Sequence, residues 1–314
     1  MRVIPPLTIT DAILISSSLS EPDAGSPNTE FVYDPAKTDY ALGAQVISTT
    51  THRKYESLVL QVAAHPLPVL PETATSYWLD VGPTNKWSMF DLFRNTQSSG
   101  PSPMTITLAT GVRTNSIALM GLDATSVTVV VQSAVGSPSE EYYRHEENLV
   151  TREVMDWYDY FFEPFTTRPS LVLFDLPPYT SALIVTTITN TAGTAKCGAL
   201  VVGSYQYIGE TQHAAESDAL NFSTVDRDAF GNVTLVPRRA IPSTNQRIIC
   251  DKGIVNAVRN LRTALNAVPA VWSGLDDSTD EYFDAFLILG IYRGFRINAS
   301  EPTEAEISLE LEEI

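Results

Sequence analysis

The sequence predicts a mainly β protein: a small β module, then a jelly-roll-like β-sandwich, then a small α+β domain with one main helix. Three observations carry this. Short runs rich in Thr, Val and Ile recur along the chain among 20 Pro and 16 Gly, the composition of strands punctuated by turns. Long helical periodicity is scarce, with one exception after residue 250. The 314 residues are 44% apolar and only 18% charged, enough to bury a substantial core divided over two or three domains. A disordered chain and a parallel α/β enzyme are disfavoured on the same grounds.

Residues 1–30 end in SSSLSEPDAGSPNTE, whose Ser, Pro, Gly and acids predict an arm or an interface strand rather than a core element. Pro5-Pro6 and Asp11 interrupt any apolar region of signal-peptide length. Residues 31–94 form the small module. Runs around Val46 and from Tyr55 to Val59 read as a hairpin with a Thr-rich turn at 49–51; a Pro-rich loop follows, and Trp78 opens a third extended piece that Gly82-Pro83 stops.

The breaker NTQSSGPSP at 95–103 opens the sandwich, residues 95–212. MTITLAT, NSIALMGL, SVTVVVQSA, PSLVLFDLP, ALIVTTIT and CGALVVGSYQYIG supply six strand-length runs. Between them, the aromatic and acidic interval 140–165 reads as a helix or long loop crossing the sandwich: an aromatic plug packed on it with acids facing water, or an interface with a neighbouring subunit. In residues 213–314, Ile254, Ala257, Val258, Leu261 and Leu265 recur at helical spacing until Pro269. Strands follow at Val271-Trp272, FLILGIYRGFRI and ISLELE. Ile307, Leu309 and Leu311 alternate with Ser308, Glu310 and Glu312, predicting a C-terminal edge strand with a solvated acidic face that is free to pair between subunits.

The order Tyr40, Gly43, Val46, Tyr55, a Pro-rich loop, Trp78 and Gly82 resembles the short chitin-binding type of carbohydrate-binding module. The extension VGPTNKWSMFD resembles tail proteins of tailed bacteriophages. Together they cover about a sixth of the chain. Tyr40-x-x-Gly43 alone carries little; the ordered set with Pro83-Thr84-Asn85 and Trp87-Ser88-Met89-Phe90-Asp91 is specific. The chain departs at Ser88 and Leu92, where such phage proteins carry Ala and Gly. NSIALMGLDATSV and DLPPYTSALIVTTI…CGALVVG resemble, more loosely, galactose-binding-like jelly rolls.

A net charge of −17 argues against phosphate-backbone binding, so no nucleic-acid partner is expected. No segment approaches a membrane span, and Cys197 and Cys250 read as buried, reduced thiols. No nucleophile, zinc or phosphate-loop motif is present, which lowers the odds of an enzyme. His145 with Glu146 and Glu147 reads as a solvated turn rather than a metal site. Asp156 with Asp159, or Asp276 and Asp277 with Asp280, read as accidental neighbours rather than a glycosidase pair. No metal and no cofactor is implied.

Binding is better supported than chemistry. Tyr55, Tyr77, Trp78 and Trp87 are the candidates for stacking on a sugar ring; the same side chains, Trp78 above all, are also what a module of this size needs for a core. The resemblances imply a structural virion protein of the distal tail or baseplate, synthesised in a host cytoplasm. Its expected partners are other tail proteins, copies of itself in a ring, and host surface glycan where the module contacts sugar. A stand-alone carbohydrate-binding protein and a glycan-degrading enzyme are the alternatives.

Overall fold

In the computed structural model the chain is mainly β, with 47% of residues in strands and 8% helical. Residues 1–25, 29–69, 72–136, 139–151, 156–162, 166–213, 215–227, 230–278, 280, 282–299 and 302–314 are described.

The six predicted runs form the sandwich. Its larger sheet runs Ser139–Asn148, Ser126–Gly136, Ala182–Thr189, Met104–Leu108, Leu14–Ser17, every neighbour antiparallel. Its smaller sheet runs Ser170–Leu173, Ser116–Met120, Ala199–Gly203. The faces meet through Ile106, Val129 and Ile184 on one side and Ile117, Leu119 and Leu200 on the other. In the large sheet the period-2 pattern is plain: Ala182–Thr189 alternates buried and half-buried residues because one face is wet. The small sheet shows no alternation. Ser116–Met120, Ser170–Leu173 and Ala199–Gly203 are buried at every position, as strands covered on both faces must be.

What covers the second face is the C-terminal domain. Its eight-stranded sheet contains Gln206–Tyr207, Arg2–Ile4, Ala270–Trp272, Ile288–Asn298, Glu304–Glu313 and Ala240–Asp251 in that order, with Glu210–Thr211 and Glu216–Asn221 both beside Ala240–Asp251. Ile4, Val271 and Leu289 pack on Ala118, Val172 and Val201. The alternate residues Val3, Trp272 and Ile288 point the other way, toward the helix Val255–Ala264, whose Val258 and Leu261, with Leu265 just beyond it, seal that side. Asp251 accepts from the Gly253 amide at 2.6 Å at the head of this segment, leaving one fewer orphan donor there. The order of layers is therefore sheet, sheet, sheet, helix.

Three expectations change. The first residues, read as an arm, lie inside two sheets: Arg2–Ile4 between Gln206–Tyr207 and Ala270–Trp272, and Leu14–Ser17 along Met104–Leu108. Glu304–Glu313 is not an edge, being hydrogen-bonded to Ile288–Asn298 on one side and Ala240–Asp251 on the other. Alternation reports which face is wet and says nothing about who pairs laterally. Interval 140–165 is neither plug nor long crossing helix. Ser139–Asn148 is a strand completing the large sheet, with Arg144 bridging Glu141 and Glu146 at 2.9 and 2.8 Å, while Trp157–Phe162 is one short exposed helix. Residues 152–155 and 163–165 of the interval lie outside the described residues.

The small module is a three-stranded meander, Gln45–Ser48, Arg53–Ser57 and Trp78–Pro83, with the expected turn between the first two. Tyr40, Val46, Tyr55 and Trp78 form its core, with Tyr33 and Leu67 packed against them.

Candidate functional site

The segment after the module's third strand, Thr84 to Asp91, is where module, N-terminal loop and sandwich converge. Pro83 ends the strand, and the Thr84 carbonyl accepts from the amides of Trp87 and Ser88 at 3.0 and 2.9 Å, starting the 3₁₀ turn Ser88–Phe90. The buried Glu21 carboxylate accepts from the Thr84 hydroxyl at 2.8 Å and Trp87 Nε1 at 2.9 Å, and His52 Nδ1 lies 2.8 Å away. Glu30, equally buried, accepts from the Asn85 and Asp23 amides at 2.8 and 2.9 Å. Asn85 Nδ2 donates to Asp23 at 2.7 Å and to the Ser99 carbonyl at 2.8 Å, and Asn85 Oδ1 accepts from the Ser99 amide. Met89 N–H reaches Ser98 Oγ at 2.9 Å. Buried carboxylates cost heavily unless donors surround them; here Thr84, Asn85 and Trp87 of the motif supply part of that surround, with the Asp23 amide, His52 and the Lys54 ammonium, 3.5 Å from Glu30, supplying the rest. The segment is a polar clamp, built from the residues of VGPTNKWSMFD.

Beside the clamp, the His52 ring stacks on Trp87 with centroids 4.1 Å apart, and its Nε2 is 3.1 Å from Asp11. An open groove of about 400 Å³ adjoins it, lined by Thr10, Asp11, Thr51, His52, Trp87 and Asp91 among others. The imidazole thus lies between two carboxylates. Both His52 ring nitrogens are therefore taken by carboxylates, and Thr51, one of the lining hydroxyls, is taken by the Tyr55 hydroxyl at 3.1 Å. Burial of Asp91 pushes its carboxyl above the usual range, despite hydrogen bonds from Thr96 and the Phe93 amide. Sequence reading missed this group because Asp11, Glu21 and His52 lie 31 and 41 residues apart.

The four proposed sugar-stacking residues separate sharply. Tyr55 and Trp78 are 1% and 0% exposed and belong to the module core. Trp78 Nε1 and the Tyr33 hydroxyl both donate to the His65 carbonyl at 2.9 Å, and Tyr40 and Tyr33 crowd the Trp78 ring. Trp87 is 7% exposed with one face on His52. None of these three has a ring face free for a sugar, because the module and clamp have used them as filling. Tyr77 alone keeps an accessible ring, 38% exposed, its other face stacked on His65. The structure does not bring the four together into one platform. A hollow of about 810 Å³ at one end of the sandwich, lined by Thr125, Asn148, Thr167, Thr191 and their neighbours, has no aromatic among its lining residues.

The other candidates fare as follows. His145 lies in a strand rather than a turn, its Nε2 3.1 Å from Glu147. The Asp156 carboxylate accepts from the Tyr158 amide at 2.7 Å, and the Asp159 side chain lies outside the described residues. Among the described residues no group of three or more His, Cys, Asp and Glu is arranged to hold a metal ion. Cys197 and Cys250 are free and buried, and burial pushes the Cys197 thiol up to about 12.

Two surfaces stand out that no motif announces. In the helix Trp157–Phe162, Trp157, Tyr158, Tyr160, Phe161 and Phe162 are between 54% and 79% exposed, their rings touching one another. From Glu216 to Ala240 every described residue except Ser223 is exposed, across strands Glu216–Asn221, Thr224–Arg227 and Val233–Val236. No family model, no curated protein and no solved structure matches the chain.

Proposed function

We propose that the chain is a structural subunit of a bacteriophage tail, at its distal end or baseplate, that works by contact with other tail proteins and with copies of itself in a ring. The observation that carries the assembly part is the helix Trp157–Phe162. Contiguous exposed apolar patches mark interaction sites on soluble proteins, and Trp and Tyr are the residues that most often anchor buried contacts. The tail part is supported by the resemblance of VGPTNKWSMFD, whose residues form the buried clamp. A β body with aromatic contact surfaces is what such a role needs. Mass spectrometry of purified virions tests the reading: the chain is expected at stoichiometric abundance, and its absence would sink the proposal.

A carbohydrate-binding role is the second reading, supported by Tyr77 alone, whose accessible ring lies on an apolar outer face with Leu79 and Val81. On a glycan array, binding that Tyr77→Ala abolishes without altering the fold favours it; an array without specific signal removes it.

A further inference from the structure

The C-terminal domain turns two surfaces to water: the ribbon of residues 216–240, exposed along nearly its whole length, and one face of the sheet beside it. The ribbon carries exposed Val225, Val233 and Leu235. The sheet face is charged, and strand register fixes the pattern. Three rows cross it. Asn245, Glu310 and Gly294 are direct partners, as are Arg247, Ser308 and Arg296, and Ile249, Glu306 and Asn298. Ile248, Ile307, Leu309 and Phe295, which alternate with them, belong to the core on the helix side, so the three rows lie on the opposite face.

Ser308 is thereby the centre of a diamond. Arg247 and Arg296 flank it across the strands, and Glu306 and Glu310 flank it along its own strand. Sheet spacing puts the two arginine Cα atoms roughly 10 Å apart and the two glutamate Cα atoms roughly 13 Å apart. Diagonal neighbours on a sheet are within reach of long side chains, yet among the described residues none of these four charges has an ion-pair or side-chain hydrogen-bond partner. Arg293 and Glu312, just beyond the diamond, do pair with each other. Arg247, Arg296 and Glu310 are exposed, and Glu306 is half-buried. Two hollows flank Arg247, one of about 310 Å³ walled by Glu304 and Glu306 and one of about 340 Å³ walled by Glu216 and Glu310. Each has carboxylates to receive a guanidinium.

The alternation of sign identifies what fits. A uniformly acidic or basic surface matches only half of the diamond. Turned about a two-fold axis lying in the face, midway between the row and strand directions, the diamond sets its arginines on the glutamates of its image and its glutamates on the arginines. Strands of the two copies then cross near a right angle, one of the two ways in which sheets pack face to face. The four corners also sum to zero in a chain of −17, so two copies meet here with less of the repulsion that the acid excess imposes elsewhere.

We propose that this face pairs with the same face of a second copy, exchanging four Arg–Glu contacts across a two-fold axis. The inference rests on the self-association part of the reading above and goes beyond it. A patch that meets its own image closes at two, so this contact joins copies in pairs, and contacts around a ring belong to other surfaces. The role between subunits expected of the edge of residues 304–313 passes to the face of that strand. Exposed ion pairs are individually weak and screened by salt, so the pairing is weak and salt-sensitive.

Charge reversal tests it. Arg247→Glu/Arg296→Glu makes all four corners acidic, and Glu306→Arg/Glu310→Arg makes them all basic; both are expected to keep the wild-type melting curve. In low-salt sedimentation from about 10 μM to about 1 mM, the wild type is expected to dimerise and each double variant alone to do so at least about tenfold more weakly. Mixed, the two variants should form a 1:1 dimer tighter than the wild-type one. The fourfold reversal, which restores the alternation, should dimerise as the wild type does. A mixture no more associated than its components overturns the proposal, as does a fourfold variant as weak as the doubles, or a wild type that is monomeric throughout. Oligomers that persist unchanged in every variant overturn this contact and leave the ring reading intact. Arg247→Gln/Arg296→Gln adds no new charge and serves where a reversal disturbs folding: a dimer that it does not weaken is equally decisive against the pairing. Photo-crosslinking from p-benzoylphenylalanine at position 308 gives a second readout. The expected capture is a peptide from residues 245–249 or 294–310 of another copy; capture of any other surface, the helix Trp157–Phe162 included, assigns the face to a different occupant and overturns the pairing.

Discussion

The small sandwich sheet and the strand pair Thr224–Arg227 and Val233–Val236 both carry Val and Leu, yet the first has neither face in water and the second has both. Ser116–Met120, Ser170–Leu173 and Ala199–Gly203 are buried throughout; Thr224–Arg227 and Val233–Val236 are exposed throughout. Strand propensity is similar in the two, so propensity is not what separates them. Backbone pairing serves both, on two sides of Ser116–Met120 and on one side of each exposed strand. What differs is apolar area taken from water, the larger driving force of folding. The comparison teaches that this chain keeps its stability in the layers around residues 116–120 and draws little of it from the outward strand pair.

Substitution in the covered sheet should produce the largest effect. Leu119 is fully buried between its neighbours Leu171 and Leu200, and Leu119→Ala should cost about 3 kcal/mol by lost transfer energy and residual cavity. Urea unfolding of the two proteins measures it. Leu235→Ala on the ribbon should change the stability of the isolated chain by no more than about 0.5 kcal/mol. Comparable losses at both positions would mean that the ribbon is already folded into the core, and the contrast would collapse.

The clamp lies between these extremes and should respond in proportion. Asn85→Ala removes the donor to Asp23 and both hydrogen bonds with Ser99, leaving a Ser99 amide unmatched; the expected loss is about 2 kcal/mol. Because the Asn85 side chain holds Asp23, while Glu30 keeps the backbone amide of residue 85, the chain around Asp23 should also become the first site of proteolytic cutting. Limited proteinase K digestion, which is not tied to a basic or aromatic residue, followed by mass spectrometry checks this, and an unchanged cleavage pattern would show that the Asn85 side chain does not hold this segment.

How much of this was legible in the chain follows from which interactions are local. The six sandwich strands could be read because apolar content within five to eight residues decides them, and the helix over 255–264 because Val258, Leu261 and Leu265 share one face. Even the double burial of Ser116–Met120 leaves a local trace, an apolar run without alternation. Arg2–Ile4 could not be read: it is three residues long, is followed by two prolines, and takes its register from Val271 and Trp272, some 270 residues on. The module's core was visible as composition, but composition does not distinguish Trp78, wholly enclosed, from Tyr77 beside it, half open. The clamp escaped because Glu21 and Glu30 lie in a stretch whose residues look like any solvated turn, with the Thr84 and Asn85 donors more than 50 residues away. Exposure of the aromatic helix is likewise a property of what surrounds it. Leu92 shows the limit differently: its backbone has φ +65°, a left-handed conformation that glycine adopts freely and leucine does not, at one of the two positions where the chain departs from the phage-protein pattern.

The smallest expected effect is a titration at the join between module and sandwich. Asp91 is partly buried, and burial raises its carboxyl above the usual carboxylate value, with the nearby Arg53 charge and the bonds from Thr96 and Phe93 only partly offsetting this. The folded state therefore holds this proton more tightly than the unfolded chain. Well below the usual carboxylate range both states are protonated and the group costs nothing. As pH rises through that range the unfolded chain ionises first, and stability falls until the raised folded value is passed, after which the cost is constant. Asp91→Asn removes the titration but keeps an acceptor for the Phe93 amide, and the Thr96 hydroxyl can turn to the Phe93 carbonyl, already 3.1 Å away. The variant should match or exceed wild-type stability at neutral pH and lose that advantage at acid pH. Urea unfolding of both proteins at the two pH values measures the difference. A gap that does not change with pH would mean that Asp91 is as well solvated as the ribbon's own aspartates, and that burial at this join is closer to the exposed extreme than to the covered one.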